Sequence, residues 1–422
     1  MPLGNRIPAH LDALHELQSN YPGESLAWSV GDLSESAKTV TVDLGRTNEM
    51  GHLAALGRPE IVILTHDDED HIGGWTQFSK LGLAALRELW VPYEWGVLTD
   101  IVRNFDPDMR RSPGVHAADP PWSPSAEVEA HADSVRRDLV PPWPLSAQTE
   151  LHPGSGRSEQ VWELDPERAI DRVKDAMERY RDELRDILAE YIDQDGEGWS
   201  SWDPDKVAKR TLKRAHRILG IVLGARRAGV RVRYFSVDHA KRTCAPWESE
   251  GERGVATIAN AAEVFDPRSR RTDLLAFARL MHLTVQNERA LCPVLWDGCE
   301  PAVLVWSDST GQWAADPCFR ADKLLEKVSV CTAPHHGSVN KAHDQAWEAM
   351  DSHFIPHRGV VVLAGGMPNQ RTSHPRFMSI AAHRRACTAH RDHEGTRGER
   401  GTVRVVFSCL CGPMIYAGGC GS

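Results

Sequence analysis

Apolar and polar positions along this chain change period several times, and each change marks an element. Ile61-Val62-Ile63-Leu64 is a short, β-branched apolar run that reads as a buried strand. Residues 25–30 and 39–42 predict two further strands before it, and residues 11–17 predict a helix. Phe78, Leu81, Ala85, Leu86 and Leu89 recur at helical spacing, which predicts a helix over 75–89. Residues 89–92 then read as the next strand. Strand, helix and strand alternate, which is α/β patterning.

From 95 to 160 the pattern dissolves. Pro107, Pro113, Pro120, Pro121, Pro124, Pro141, Pro142 and Pro144 interrupt any regular element, and the stretch reads as irregular loop. Two helical seams follow. Ile170, Val173, Met177, Tyr180, Leu184, Ile187 and Tyr191 alternate by three and four; Val207, Leu212, Ala215, Leu219 and Val222 repeat the pattern after Asp205, a candidate N-cap. Gly196 and Gly198 lie between, so the pair predicts an antiparallel helical hairpin, with a coiled-coil dimer as the competing use of the seam. Strands are expected again at 230–237, 287–295, 303–306, 328–331, 359–365 and 402–407, with a helix at 274–283. The chain therefore divides into 1–94, an insertion at 95–227, and 228–422.

The composition is that of a globular protein, with 41% hydrophobic and 26% charged residues among 422. No apolar run approaches the ~20 residues of a membrane span, and the first residues have no signal-peptide core. Nine cysteines are scattered through the chain. With no secretion signal they are expected as reduced thiols in a cytoplasm. Cys409, Cys411 and Cys420 lack a fourth ligand for a zinc knuckle and read as buried strand residues.

The chemistry concentrates where the 61–64 strand ends. Thr65-His66-Asp67-Asp68-Glu69-Asp70-His71-Ile72-Gly73-Gly74 puts His66, Asp68, Asp70 and His71 on one turn. Imidazole and carboxylate together suit a divalent zinc, manganese or iron ion. Six residues cannot close a shell, so distant segments must complete it. An acidic, solvated loop is the alternative.

This decapeptide resembles the HxHxDH signature of the metallo-β-lactamase fold, with Asp68 where most members carry a second histidine. The HxDxDHIGG form is similar to the hydrolase domain of the competence protein ComEC and its soluble relatives. Later segments fit too. Val303–Trp306 ends at Ser307-Asp308-Ser309, which resembles the family's "GD" turn. Pro334-His335-His336-Gly337-Ser338 resembles "PHHGS", and Asn369 to Pro375 resembles "N-x-x-G-H-P". Asp43, in Asp43-Leu44-Gly45, matches an aspartate that lies beneath the metal site.

The resemblance implies an αββα sandwich of two mixed sheets between helices, carrying the Pro-rich segment and hairpin as an insertion. It implies two divalent ions, Zn or Mn, that share Asp308. One would take His66 and Asp68, with His336 or His374; the other would take Asp70, His71 and Asp308. Asp70, His374 and His335 are the candidate catalytic residues. Asp43, Ser338 and Asn369 are candidates for supporting the site or contacting substrate. His343, His353, His357 and His390 match nothing and read as surface residues.

The formal net charge of −10 does not favour nucleic acid for the chain as a whole, but its distribution does. Between Lys206 and Arg242 there are twelve Lys or Arg and one acid, Asp238. Such a basic face fits a polyanion, or an acidic part of the same chain. The expected activity is a phosphodiesterase or nuclease. A small-molecule hydrolase of cyclic nucleotide, ester or lactone is the alternative, and so is a metal-binding scaffold whose hairpin docks a partner protein.

Overall fold

The computed structural model describes residues 15–19, 25–30, 38–46, 59–81, 83–105, 165–179, 204–244, 247, 255–269, 272, 274–284, 289–296, 300–357, 359–364, 374–387, 389–391, 397–400, 403–408 and 412–417. It is a mixed α/β protein with two compact units. The first unit comprises Met1–Tyr93, Ala228–Phe265 and Leu283–Ser422; the second comprises Glu94–Arg227 and Asp266–His282. The second unit thus takes Asp266–His282 in addition to the expected insertion.

Two mixed sheets build the first unit. The strands of the larger one are β1 (His15–Ser19), β2 (Leu26–Val30), β3 (Lys38–Val42), β4 (Ile61–Ile63), β5 (Glu88–Pro92), β6 (Arg231–Ser236), β8 (Ala262–Val264), β16 (Val403–Ser408) and β17 (Gly412–Ala417). Their spatial order is β17-β16-β1-β2-β3-β4-β5-β6-β8. β3 to β6 run parallel, and the flanking pairs are antiparallel. The smaller sheet is β13-β12-β11-β10-β9-β7, from β7 (Ala256–Ile258), β9 (Pro293–Trp296), β10 (Pro301–Leu304), β11 (Val330–Thr332), β12 (Val360–Leu363) and β13 (Arg385–Cys387). β10 to β13 run parallel. β14 (Ala389–Arg391) and β15 (Arg397–Arg400) pair separately.

The period-2 alternation of the strands decides how the layers stack. Leu26, Trp28, Val40, Val42, Ile63 and Trp90 of the larger sheet share one buried core with Leu295, Val303, Val330, Val360 and Val362 of the smaller. The sheets therefore face each other, and Trp28 Nε1 donates across the gap to Trp296 O at 3.1 Å. The alternate residues of the smaller sheet, Val294, Leu304, Trp306, Cys331, Val361 and Leu363, join a second core. There they meet Leu324 and Leu325 of the helix Ala321–Lys327 and Trp347 of the helix Asp344–Ala349. Both faces of this sheet are buried, which explains its almost continuous apolar strands.

In the second unit the helices Pro166–Arg179 and Pro204–Arg227 pack together. Ala169, Ile170, Val173 and Met177 are buried on one, and Ala215, Ile218, Leu219 and Val222 on the other. Arg172 donates to Val102 O at 3.1 Å and so ties the first to the helix Tyr93–Arg103. Among the described residues, no helix is long and apolar enough to cross a membrane.

Several expectations need correction. Residues 15–19 are a strand, not part of a helix, because β1 pairs on both sides with β2 and β16; tertiary pairing overrides a weak local pattern. The expected 75–89 helix stops at Lys80. Residues 95–103, placed in irregular loop, belong to the helix Tyr93–Arg103; the first proline of that stretch is Pro107. The helix Pro204–Arg227 begins before Asp205, so Asp205 lies in its first turn. The cysteines are not all reduced, since Cys244 and Cys318 form a disulfide with Cα atoms 4.8 Å apart. Cys292, Cys331 and Cys387 are free and buried. The proline-rich stretch and Cys409, Cys411 and Cys420 lie outside the described residues.

Gly311 shows how tightly the loop after β10 is held. Its φ is +81°, and a Cβ there would come within 2.4–2.6 Å of Ala346. Gly311→Ala is expected to destabilise the protein by about 2 kcal/mol or more, through both strain and overlap. The urea midpoint measures it.

Candidate metal centre

Every contributing loop leaves the carboxyl end of a parallel strand. Asp43 follows β3, Thr65 to His71 follow β4, Ser307 and Asp308 follow β10, His335 and His336 follow β11, and Ala364 follows β12. The carboxyl ends of parallel strands are where α/β sheets place their sites. Here two facing sheets supply them together. The hydroxyls of Thr65 and Ser307, one from each sheet, lie 2.7 Å apart.

Asp43 organises the near side. Its carboxylate is fully buried and accepts three hydrogen bonds, from Thr65 N at 2.8 Å, Thr65 Oγ1 at 2.7 Å and His71 Nδ1 at 2.8 Å. A carboxylate only accepts, so His71 carries its proton on Nδ1 and turns Nε2 toward the centre. Thr65 donates its single hydroxyl proton to Asp43. It is then an acceptor for His66, whose Nδ1 lies 3.0 Å away. On the far side, His336 Nδ1 donates to Ala364 O at 2.9 Å. Each of the three rings is thus fixed through Nδ1 and presents Nε2, the orientation of a metal-binding histidine.

These Nε2 atoms converge on Asp308. His66 Nε2 is 3.6 Å from Asp308 Oδ2, His71 Nε2 is 3.5 Å from Oδ1, and His336 Nε2 is 3.7 Å from Oδ1. Asp70 Oδ2 is 3.4 Å from His336 Nε2. The spacings exceed hydrogen-bond length, and among the described residues the Nε2 atoms of His66 and His71 and Oδ1 of Asp308 have no hydrogen bond although buried. Two ligands at about 2.0–2.1 Å from one tetrahedral ion lie about 3.3 Å apart, close to what is seen. Two groups can hold an ion: His66, His71 and Asp308, and Asp70, His71 and His336.

Charge points the same way. Burial and the neighbouring His71 push His66 down, but Asp308 and Asp68 outweigh them and hold it up at about 9. His71 is raised well above its usual value: burial opposes this, and Asp308 and Asp43 prevail. Asp308 is held well below the carboxylate range despite burial, by His71, His336 and His66. Asp70 is likewise lowered against burial, by His336 and His71. Protons on the imidazoles balance the carboxylates, and a divalent cation would displace them.

The expected residues sit as follows. His66, Asp70, His71, Asp308 and His336 meet in the centre, with Asp43 beneath. Asp68 occupies the N-cap position of the helix Glu69–Ile72 at the rim, its side chain 43% exposed and Oδ2 3.6 Å from His66 Nε2. The expected grouping changes, because His336 pairs with Asp70 and His71 and not with His66. His374 stands apart. Its ring stacks on Trp347 at 4.8 Å, its Nδ1 accepts from Arg376 N, and its Nε2 is 3.7 Å from Asp344. It belongs to neither group, although its backbone N–H is bonded to Gly337 O. His335 Nε2 reaches Asp308 Oδ2 at 3.4 Å, and its Nδ1 is 3.1 Å from Ser338 Oγ. Asn369 lies outside the described residues.

His343 is not the surface residue it was taken for. It is fully buried, its ring lies 4.4 Å from that of His335, and its Nδ1 is 3.0 Å from Ser309 O. No spacing rule marks it in the sequence; only the fold brings it to the loop. Thr65 and Ser307 were also missed, since neither residue type signals a metal.

Comparisons with family models, with curated proteins and with solved structures give no match to this chain.

Two outcomes follow for metal binding. Affinity for Zn²⁺ or Mn²⁺ should climb from pH 6.5 toward 9, because His66 gives up a proton held to about 9. Calorimetry in buffers of different ionisation enthalpy should show proton release at pH 7; a pH-independent affinity with no release would contradict this. Asp43→Asn leaves one acceptor oxygen for three donors and sets an amide N–H against the others, and should weaken metal binding by about 10–100-fold.

Proposed function

We propose that this chain is a metal-dependent hydrolase of the metallo-β-lactamase fold, an αββα sandwich, and that it cleaves phosphodiesters, most simply as a nuclease. The convergence of His66, His71, Asp308, Asp70 and His336 at one end of two facing sheets carries this reading. The motif resemblance of the same residues supports it independently of that geometry.

The donor set fits two divalent ions. His71 has a single lone pair, since Nδ1 is engaged with Asp43, so it can serve only one of them. Assigning each atom once leaves His66, Asp308 Oδ2 and Asp68 on one side. His71, Asp70, His336 and Asp308 Oδ1 make the other. Mixed imidazole and carboxylate ligation is compatible with Zn²⁺ and with Mn²⁺. Such ions supply Lewis acidity and make water ionisable near neutrality.

The chain's own residues can hydrogen-bond a leaving oxygen, whose proton would come from water. Asp70 is held ionised, so it has no proton to donate. His374 is engaged with Asp344 and Trp347. His335 is the better hydrogen-bond donor to that oxygen, as a neutral imidazole that keeps its own proton. Burial brings its pKa down to about 4, with His343, His336 and His66 adding to the effect against Asp308. It is therefore neutral, and Asp308 on one side and the Ser338 hydroxyl on the other favour the proton on Nε2. Its side chain is 28% exposed.

A phosphodiester polymer is favoured by the helix Pro204–Arg227, whose only acid is Asp205 and which exposes Lys209, Arg210 and Lys213.

Purified protein should cut single- or double-stranded DNA, RNA or bis(p-nitrophenyl) phosphate with Mn²⁺ or Zn²⁺. His66→Ala and Asp308→Asn should each lose activity by at least about a hundredfold while remaining folded. Cutting of polymer weakened by salt supports the nuclease; cutting of the small diester alone redirects the reading to a small-molecule phosphodiesterase. Undiminished activity in both variants excludes the metal centre.

A further inference from the structure

The loop that carries His335 and His336 holds three successive residues at positive φ: 46° at His335, 52° at His336 and 67° at Gly337. That backbone sends the adjacent imidazoles apart. His336 turns into the buried centre and is anchored by Ala364 O. His335 turns to the open side, where its only ring neighbours are His336, 5.9 Å away, and His343, 4.4 Å away. These neighbours are counted among the described residues.

His343 touches both halves of the site. Its ring lies against His335, and its Nδ1 lies 3.0 Å from Ser309 O, the carbonyl next to Asp308. A carbonyl only accepts, so Nδ1 carries the proton. Nε2 is then a lone pair, buried and with no hydrogen bond among the described residues. A phenylalanine would fill the same space without leaving a buried polar atom unmatched, which costs about 1–3 kcal/mol. Packing alone therefore does not account for a histidine at this position.

We infer that His343 is a positioning residue: its Nδ1–H holds the Asp308 turn in place for the metal, and its ring holds His335 facing the substrate. This rests on the hydrolase reading for His335's role, but the contacts themselves do not depend on it.

Two substitutions separate the two halves of the inference. His343→Phe keeps a ring against His335 and removes the bond to Ser309. His343→Asn keeps a donor near the position of Nδ1 and removes the ring. Calorimetry with Mn²⁺ should show about tenfold or more loss of affinity in the Phe variant, and a change within about threefold in the Asn variant. Turnover of bis(p-nitrophenyl) phosphate at saturating Mn²⁺ should show the Asn variant losing kcat by about tenfold to a hundredfold, with KM within about twofold. ¹⁵N-labelled histidine spectra of metal-free protein, with the His335 signals assigned from His335→Ala, should show His335 altered in the Asn variant and preserved in the Phe variant.

Unchanged His335 signals in the Asn variant overturn the inference. So does unchanged metal affinity in the Phe variant of a wild type that binds metal; a lowered melting temperature alone would make His343 merely structural. A wild type that takes up no metal ends the hydrolase reading, and the metal-free spectra then decide this inference by themselves.

Discussion

The buried carboxylate of Asp43 is the constraint on which the centre depends. A fully buried carboxylate is costly unless its oxygens are satisfied, and here three donors satisfy it: Thr65 N, Thr65 Oγ1 and His71 Nδ1. All three belong to the segment after β4, His71 in its short helix Glu69–Ile72. Burying Asp43 therefore fixes that loop's backbone, the tautomer of His71 and the direction of the Thr65 hydroxyl in one step. Thr65 then orients His66 and meets Ser307 from the opposite sheet. Removing the charge at Asp43 would release each of these.

Backbone strain gathers at the same place. Of the six non-glycine residues described with positive φ, four are Asp43, Ser307, His335 and His336. Such conformations persist only where surrounding structure over-determines them. The two sheets supply that structure. Their shared core leaves the strand ends no freedom to separate, and the second core fixes the helices behind β10 to β12. Stability of the facing sheets and orientation of these side chains are thus one problem: a loosened loop loses both its strain and its aim.

Much of the centre was legible in the sequence because its histidines and carboxylates lie in short contiguous motifs at strand ends. His66 to His71 announce themselves by residue type and spacing, and Asp308 and His336 through strand-end motifs that resemble those of a known family. His343 was illegible because its role comes from contacts with His335 and Ser309 across a loop, with no repeat to betray it. His374 was over-read: its motif places it beside the loop, but Trp347 and Asp344 engage its ring. The strand pattern predicted the α/β class and most long strands. It failed where pairing partners decide, as in β1, which is a strand only because β2 and β16 flank it. Short strands such as β7 and β8 carry too few residues to show a period.

Anomalous diffraction from crystals grown with Mn²⁺ or Zn²⁺ would test the central claim most directly. The account predicts anomalous peaks inside the centre. One should lie among His66, Asp68 and Asp308, and a second among Asp70, His71, His336 and Asp308, with Asp43 still bonded to His71. No peak there at saturating metal, or a metal bound only elsewhere, would contradict it.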